Sequence, residues 1–294
     1  MQTRVHEGGV RLQHIRSPDL WSHVYAIASI AKHELLISNV RYPLRIVSRF
    51  FGPLVWVVPF LLFGKAILGG TDSEHLFALT GISHMPTFIL MGTIVTSVSF
   101  NMLWLMSFAI RLESYRGTFE SVYACPINRI TYFMGKLVAS TIWSSLYIVG
   151  LIIMGVVILD VQFLWSHLPA MLAVMALLFL SMYGFGLMLA GVILVYKESH
   201  TIIHFIDGLF SLIVPMAYPL AVLPVALQAV SRATPMTNAV IACRNILILG
   251  QPLSGQVEYL SVLVFYIVVV IPAGYVVYNK METVAKRRGV LHKY

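Results

Sequence analysis

Residues 161–196 read VQFLWSHLPAMLAVMALLFLSMYGFGLMLAGVILVY, thirty-six positions without an Asp, Glu, Lys or Arg. A helix needs about 20 apolar residues to cross about 30 Å of hydrocarbon, so this stretch alone is long enough to span a bilayer. Pro169 opens the span and Lys197-Glu198 closes it, giving limits near 169 and 195. The apolar run is continuous and does not alternate, which argues against a β-barrel.

The same pattern recurs along the chain. Further spans are expected at about 47–69, 87–110, 137–159, 202–222 and 259–279, making six and an all-α polytopic fold. The first carries Arg49 and Lys65 near its ends, where long side chains snorkel toward headgroups. The whole chain agrees with this reading. It has 294 residues, 59% hydrophobic and 11% charged, with a mean hydropathy of +0.84. Soluble domains carry about 25% charged residues, so a soluble, disordered or disulfide-scaffold protein is excluded.

Lysine and arginine predict the orientation. Seven lie in 1–49, four in 111–136, one at Lys197 and five in 280–294, which puts seventeen of the twenty on one face. The remaining three are Lys65, Arg232 and Arg244. The positive-inside rule places both termini and the 111–136 loop in the cytoplasm, with the chain in the plasma (inner) membrane. The net charge of +8 then serves topology and headgroup binding and requires no nucleic acid. Residues 1–21 form a polar extension without the pattern of a cleavable signal. Cys125 and Cys243 fall on opposite sides and cannot pair within the chain.

Three segments lie outside the simple spans. Residues 22–46 place Tyr25, Ile27, Ile30, Leu35, Leu36 and Val40 at helical spacing among Lys32, Glu34 and Arg41, with Arg45 following. This predicts an amphipathic helix on the cytoplasmic membrane surface. The loop RLESYRGTFESVYACPINRITYFMGK (111–136) carries charge of both signs, with Glu113 and Arg116, then Arg116 and Glu120, at ion-pair spacing. Gly117-Thr118 breaks one helix and caps the next, Pro126 redirects it, and Lys136 marks the return to lipid. The product is a compact helical knob suited to receive force from a soluble partner. Residues 223–250, LPVALQAVSRATPMTNAVIACRNILILG, are too broken by Pro224, Arg232, Pro235 and Arg244 for a crossing. Two short helices around Thr234-Pro235 suit a re-entrant or interfacial element. Residues 281–294 form a basic cytoplasmic tail, and 1–280 a single transmembrane domain.

The chain holds no G-x-x-x-x-G-K-[ST], no H-E-x-x-H and no C-x-x-C. It is therefore not expected to bind ATP by a P-loop or to be an enzyme, and no cofactor or metal site is expected within it. The best metal candidate is Glu198, His200, His204 and Asp207, which read more simply as residues at the mouth of the fifth span. Asp207 is the one acid inside an expected span and must face a cavity, an interface or the headgroups. Gly186-x-x-x-Ala190 is a small-residue pair that lets helices approach closely.

Taken together, the spans, the loop and the broken segment resemble the ABC-2 family of transporter permeases, the membrane subunits of ATP-driven exporters. The family's loop pattern, E-x-x-x-G-T-x-E-x-x-x-x-x-P-x-x-R followed by G-K, is met by Glu113, Gly117, Thr118, Glu120, Pro126, Arg129, Gly135 and Lys136, with Arg116 before the glycine. Leu223-Pro224, Pro235-Met236-Thr237 and Arg244 resemble its later motif, with Thr234 where asparagine is commoner.

The resemblance implies that two permeases, identical or paralogous, pair within the lipid as a homodimer or heterodimer. Each would dock a soluble P-loop ATPase that binds ATP-Mg. The helix at 117–125 would be the coupling helix, 22–45 the connecting helix that braces it, and 223–250 the closure of the outer mouth. Phe100, Trp104, Tyr183, Phe185, Asp207, Phe210 and Tyr218 would line the translocation path or the subunit interface. The expected cargo is a hydrophobic or amphipathic drug, lipid or glycolipid. Polysaccharide export is the alternative within the family, and an assembly subunit or an ion-coupled carrier the alternatives outside it.

Overall fold

The computed structural model describes residues 20–36, 71–115, 117, 128–196 and 199–288, with scattered positions between 44 and 62. Among the described residues the regular structure is helical, apart from one isolated bridge, Asp72 to His84. The helices are α1 (Leu20–Leu35), α2 (Glu74–Thr80), α3 (Met85–Tyr115), α4 (Arg129–Leu159), α5 (Leu168–Tyr196), α6 (Ser199–Ile213), α7 (Val225–Ala233), α8 (Pro235–Leu247) and α9 (Val257–Arg287). Among the described residues, four stretches are long and apolar enough to cross a membrane: Met85–Ala109, Ile130–Leu159, Trp165–Tyr196 and Leu253–Arg287. The helices that carry them, α3, α4, α5 and α9, contain the expected spans at 87–110, 137–159, 169–195 and 259–279. The expected span at 47–69 lies outside the described residues, isolated positions aside.

The fifth expected span ends early. Its helix stops at Ile213, nine residues before the expected limit of 222. Pro215 supplies no backbone N–H and disfavours helical geometry at Val214, and Pro219 follows four residues later. At 15 residues α6 is about 22 Å long, short of the hydrocarbon thickness. By contrast α3 and α4, each with 31 residues, run about 46 Å. Both therefore extend into the expected 111–136 loop, and Asn128 caps α4 by accepting from the Ile130 amide at 3.1 Å.

At the centre of the bundle, α5 packs along α9 on one side and α3 on the other, with α8 also against it. The uniform apolarity of α5 has its reason here: Met171, Val174, Leu178, Met182, Leu187 and Leu194 are buried around its circumference. Its small residues serve contacts within this chain. A Cβ on Gly184 would lie 2.7–2.8 Å from the Val270 and Ile271 backbone, and the facing residue on α9 is Gly274. In contrast, most of the apolar residues of α9 and many of α4 point outward, as expected of surfaces that meet lipid or another membrane chain.

Candidate functional site

Three helices meet around one ammonium group. Lys136, two turns into α4, donates to the carboxylates of Glu34 on α1 and of Glu113 near the end of α3, the latter at 2.9 Å. Lys136 is 2% exposed and both acids 5%. Tyr132, one turn earlier on α4, shares its hydroxyl proton between Glu113 Oε1 at 3.0 Å and the Ala109 carbonyl at 3.2 Å. Burying ions costs several kcal/mol each unless they are paired and hydrogen-bonded, and this cluster supplies both conditions.

Close contact makes the cluster possible. A Cβ on Gly135 would stand 2.7 Å from Ile30 Cβ and Cγ2, so glycine lets α1 lie directly on α4 and brings Glu34 within reach of Lys136. His23 and Thr131 tie the other end of the contact through Nδ1 and Oγ1, 2.9 Å apart. The face of α1 that meets the protein is thus His23, Ile27, Ile30, Ala31 and Glu34. Tyr25 and Leu36, expected on its apolar face, point outward with Trp21 and Val24, and Lys32 is exposed. The Lys136 ammonium is enclosed by protein, where two carboxylates compensate its charge.

The remaining loop residues divide by position. Gly117 adopts a left-handed conformation (φ 69°), which glycine reaches without the strain a Cβ would bring. Arg129 opens α4. Arg116, Thr118, Glu120 and Pro126 lie outside the described residues, as do Arg41 and Arg45.

A second cluster joins α3 to α6. The Trp104 indole N–H donates to Asp207 Oδ2, while Asp207 Oδ1 is buried without a hydrogen-bond partner. Trp104 stacks on Phe108 at 5.1 Å and meets the His204 ring edge-on at 4.9 Å; Phe108 meets His200 at 4.8 Å. On the α4 side of Trp104 lies a recess of about 370 Å³ lined by Trp143, Tyr147 and Glu34 among others. Of the other aromatic candidates, Phe185 and Phe210 meet at 6.3 Å, and Phe185 stacks on Tyr266 at 5.4 Å, a partner that spacing along the chain did not suggest. Phe100 is half-buried against the core. Tyr183 is shut within the core, and Tyr218 donates its hydroxyl to the Leu212 carbonyl at 2.6 Å. Among the described residues no group of three or more His, Cys, Asp and Glu converges as a metal site. Glu198 lies outside them.

The broken segment forms two helices, α7 and α8, divided at Thr234. Thr234 Oγ1 accepts from the Thr237 amide at 3.3 Å, and Pro235 occupies the first turn, where its missing N–H costs nothing. Pro224 precedes α7 as its N-terminal flank. Arg244, on α8, is 5% exposed and has four hydrogen bonds to main-chain oxygens: two to Phe88, one to Pro215 at 2.9 Å and one to Met216 at 2.7 Å. Its guanidinium also lies 3.4 Å from the Phe88 ring centroid. One side chain thus fastens α8 to the start of α3 and to the turn after α6.

Helices of bilayer length, a charged clasp beside the 111–136 loop and a broken segment pinned by arginine form one combination. The sequence profile of the family described as ABC-2 type transporter matches residues 25–248, which takes in the clasp, the broken segment and three of the four stretches of bilayer length. The chain belongs to the ABC-2 transporter permease family. No curated protein matches it closely enough to serve as a relative. ABC-2 permeases are non-catalytic membrane subunits of transporters and generally work with a nucleotide-binding ATPase subunit. The membrane location and transport role follow from that membership and from the apolar helices.

Proposed function

We propose that this chain is the permease subunit of an ABC exporter that moves a hydrophobic or amphipathic cargo, powered by ATP-Mg on a separate P-loop ATPase. The observation that carries the reading is the Glu34–Lys136–Glu113 clasp. It flanks the 111–136 loop and binds the surface helix α1 to α3 and α4, so displacement of that loop moves both long helices together. In this reading Gly117, Thr118 and Glu120 belong to the coupling helix at 117–125, which Pro126 ends, α1 is the connecting helix, and Glu113 acts from inside through Lys136.

The reading takes six spans, with 47–69 as the first and α6 with the turn after it as the fifth. Both termini are cytoplasmic, on the side of seventeen of the twenty basic residues. The re-entrant pair α7–α8 closes the outer mouth, fastened by Arg244. The outward apolar faces of α4 and α9 suit lipid and a second permease, identical or paralogous. A recess of about 370 Å³ fits a small molecule better than a polysaccharide chain.

Lys136→Met tests the reading. It leaves two carboxylates enclosed with their shared cation removed, and is expected to lower the apparent melting temperature. It should also sever cargo-stimulated ATP hydrolysis from the copurifying ATPase. Adding Glu34→Gln and Glu113→Gln should restore stability without restoring coupling. Full coupling in the triple variant would overturn the clasp's role, and purification of the native chain free of any ATPase would overturn the exporter reading.

A further inference from the structure

The cluster around Trp104 has a chemical bias that the transport reading leaves open. Asp207 sits in an apolar helix, with one carboxylate oxygen bound by the Trp104 indole and the other buried without a partner. An intramembrane acid is costly against hydrocarbon, and such residues face a cavity, a water path or another subunit. His204 and Asn101, beside it, are exposed polar side chains in otherwise apolar helices, which extends the same argument over one continuous face of α3 and α6.

That face adjoins the recess between α3 and α4, where Trp104, Phe108, Trp143 and Tyr147 contribute rings and Glu34 a carboxylate. The electron-rich face of an aromatic ring attracts cations, tryptophan most strongly, and by about 2 kcal/mol or more where water is excluded. Donation of the indole N–H to Asp207 polarises the Trp104 ring in the direction that strengthens this attraction. An anion would meet the ring faces and be repelled by them, while the lining carboxylate, Glu34, is already paired with Lys136.

We propose that the recess beside Trp104 is a binding site for an organic cation: a quaternary or delocalised positive charge on an apolar body, held by the lining aromatic rings, with Asp207 bound to the Trp104 indole outside the lining and the Lys136-paired Glu34 carboxylate at its edge. This rests on the transport reading for its purpose and narrows the cargo from amphipathic to cationic amphipathic. Glu34 belongs to both the recess and the clasp, so an occupied recess touches the element through which ATP hydrolysis is coupled.

The test uses the full chain in lipid nanodiscs with tetraphenylphosphonium, and tetraphenylborate as an anion of the same shape. Partition into protein-free discs is subtracted. A saturable component is expected for the cation alone. Asp207→Asn keeps an acceptor for the Trp104 indole and removes the charge, and should weaken cation binding about tenfold, the effect of one charge interaction of ordinary size. Trp104→Leu should abolish saturable binding. Trp104→Phe, which keeps a ring and loses the N–H, should fall between, so the series remains readable if the leucine variant is unstable.

Equal saturable binding of both ions, or native cation affinity in both Asp207→Asn and Trp104→Leu, would overturn the proposal. The ATPase is assayed separately on the same preparations. A chain that brings an ATPase but shows no cation preference refutes the cationic site alone, and one that selects the cation but brings none refutes the exporter reading alone.

Discussion

Arg244 is a buried guanidinium whose described hydrogen bonds go to the main-chain oxygens of three residues. Those dipoles, with the Phe88 ring beneath, take the place of water around a charge that would otherwise be costly to bury. The geometry suits the planar fork of arginine and not the point charge of lysine. Arg244→Lys is therefore expected to cost about 2–3 kcal/mol of stability, from lost charged hydrogen bonds in a buried site. Thermal unfolding in detergent should show the loss, and a lysine variant as stable as the native chain would mean the fork is not what holds the turn. From the sequence, Arg244 was legible as a residue that breaks an apolar run and as part of a family pattern. Its partners were not, because Phe88 is 156 positions away. The same holds for Glu34, which reads as one more charge on an amphipathic helix until α4 supplies Lys136, 102 positions on.

Helices α7 and α8 show how far local chemistry reaches. The break at Thr234-Pro235 follows from the sequence alone, since proline favours the first turn of a helix and threonine the capping position before it. The structure adds a hydroxyl cluster: Thr234 Oγ1 donates to the Ser231 carbonyl at 2.8 Å, and Ser231 to the Ile213 carbonyl at 2.8 Å. Thr234→Val keeps the shape and removes the cap, and should cost about 1–2 kcal/mol. Faster amide exchange across 234–240, with α5 unchanged, is the expected readout; uniform exchange would show that packing alone holds the break. On α1 the apolar spacing shows only part of the arrangement: Tyr25 and Leu36 are exposed, and the stripe that meets the protein includes His23 and Glu34. Apolar periodicity does not reveal that stripe, because a buried ion cluster forms part of it.

Across the whole molecule, orientation is a matter of charge and span count. If both termini lie in the cytoplasm, single cysteines introduced at Lys280 and Asp72 into a chain lacking its own cysteines should label from opposite sides with a membrane-impermeant maleimide. Labelling from the same side would overturn the six-span arrangement.

Composition and hydropathy were enough to establish a helical membrane protein and to locate four spans that the described helices contain, because inserting a helix depends on the transfer free energy of one continuous segment. The ordered loop residues were enough to suggest the family. Tertiary structure alone decided that Lys136 meets Glu34 and that Asp207 meets Trp104. Both are contacts between residues about a hundred positions apart, set by which helices pack together, and pairing at that distance leaves no periodic trace along the chain.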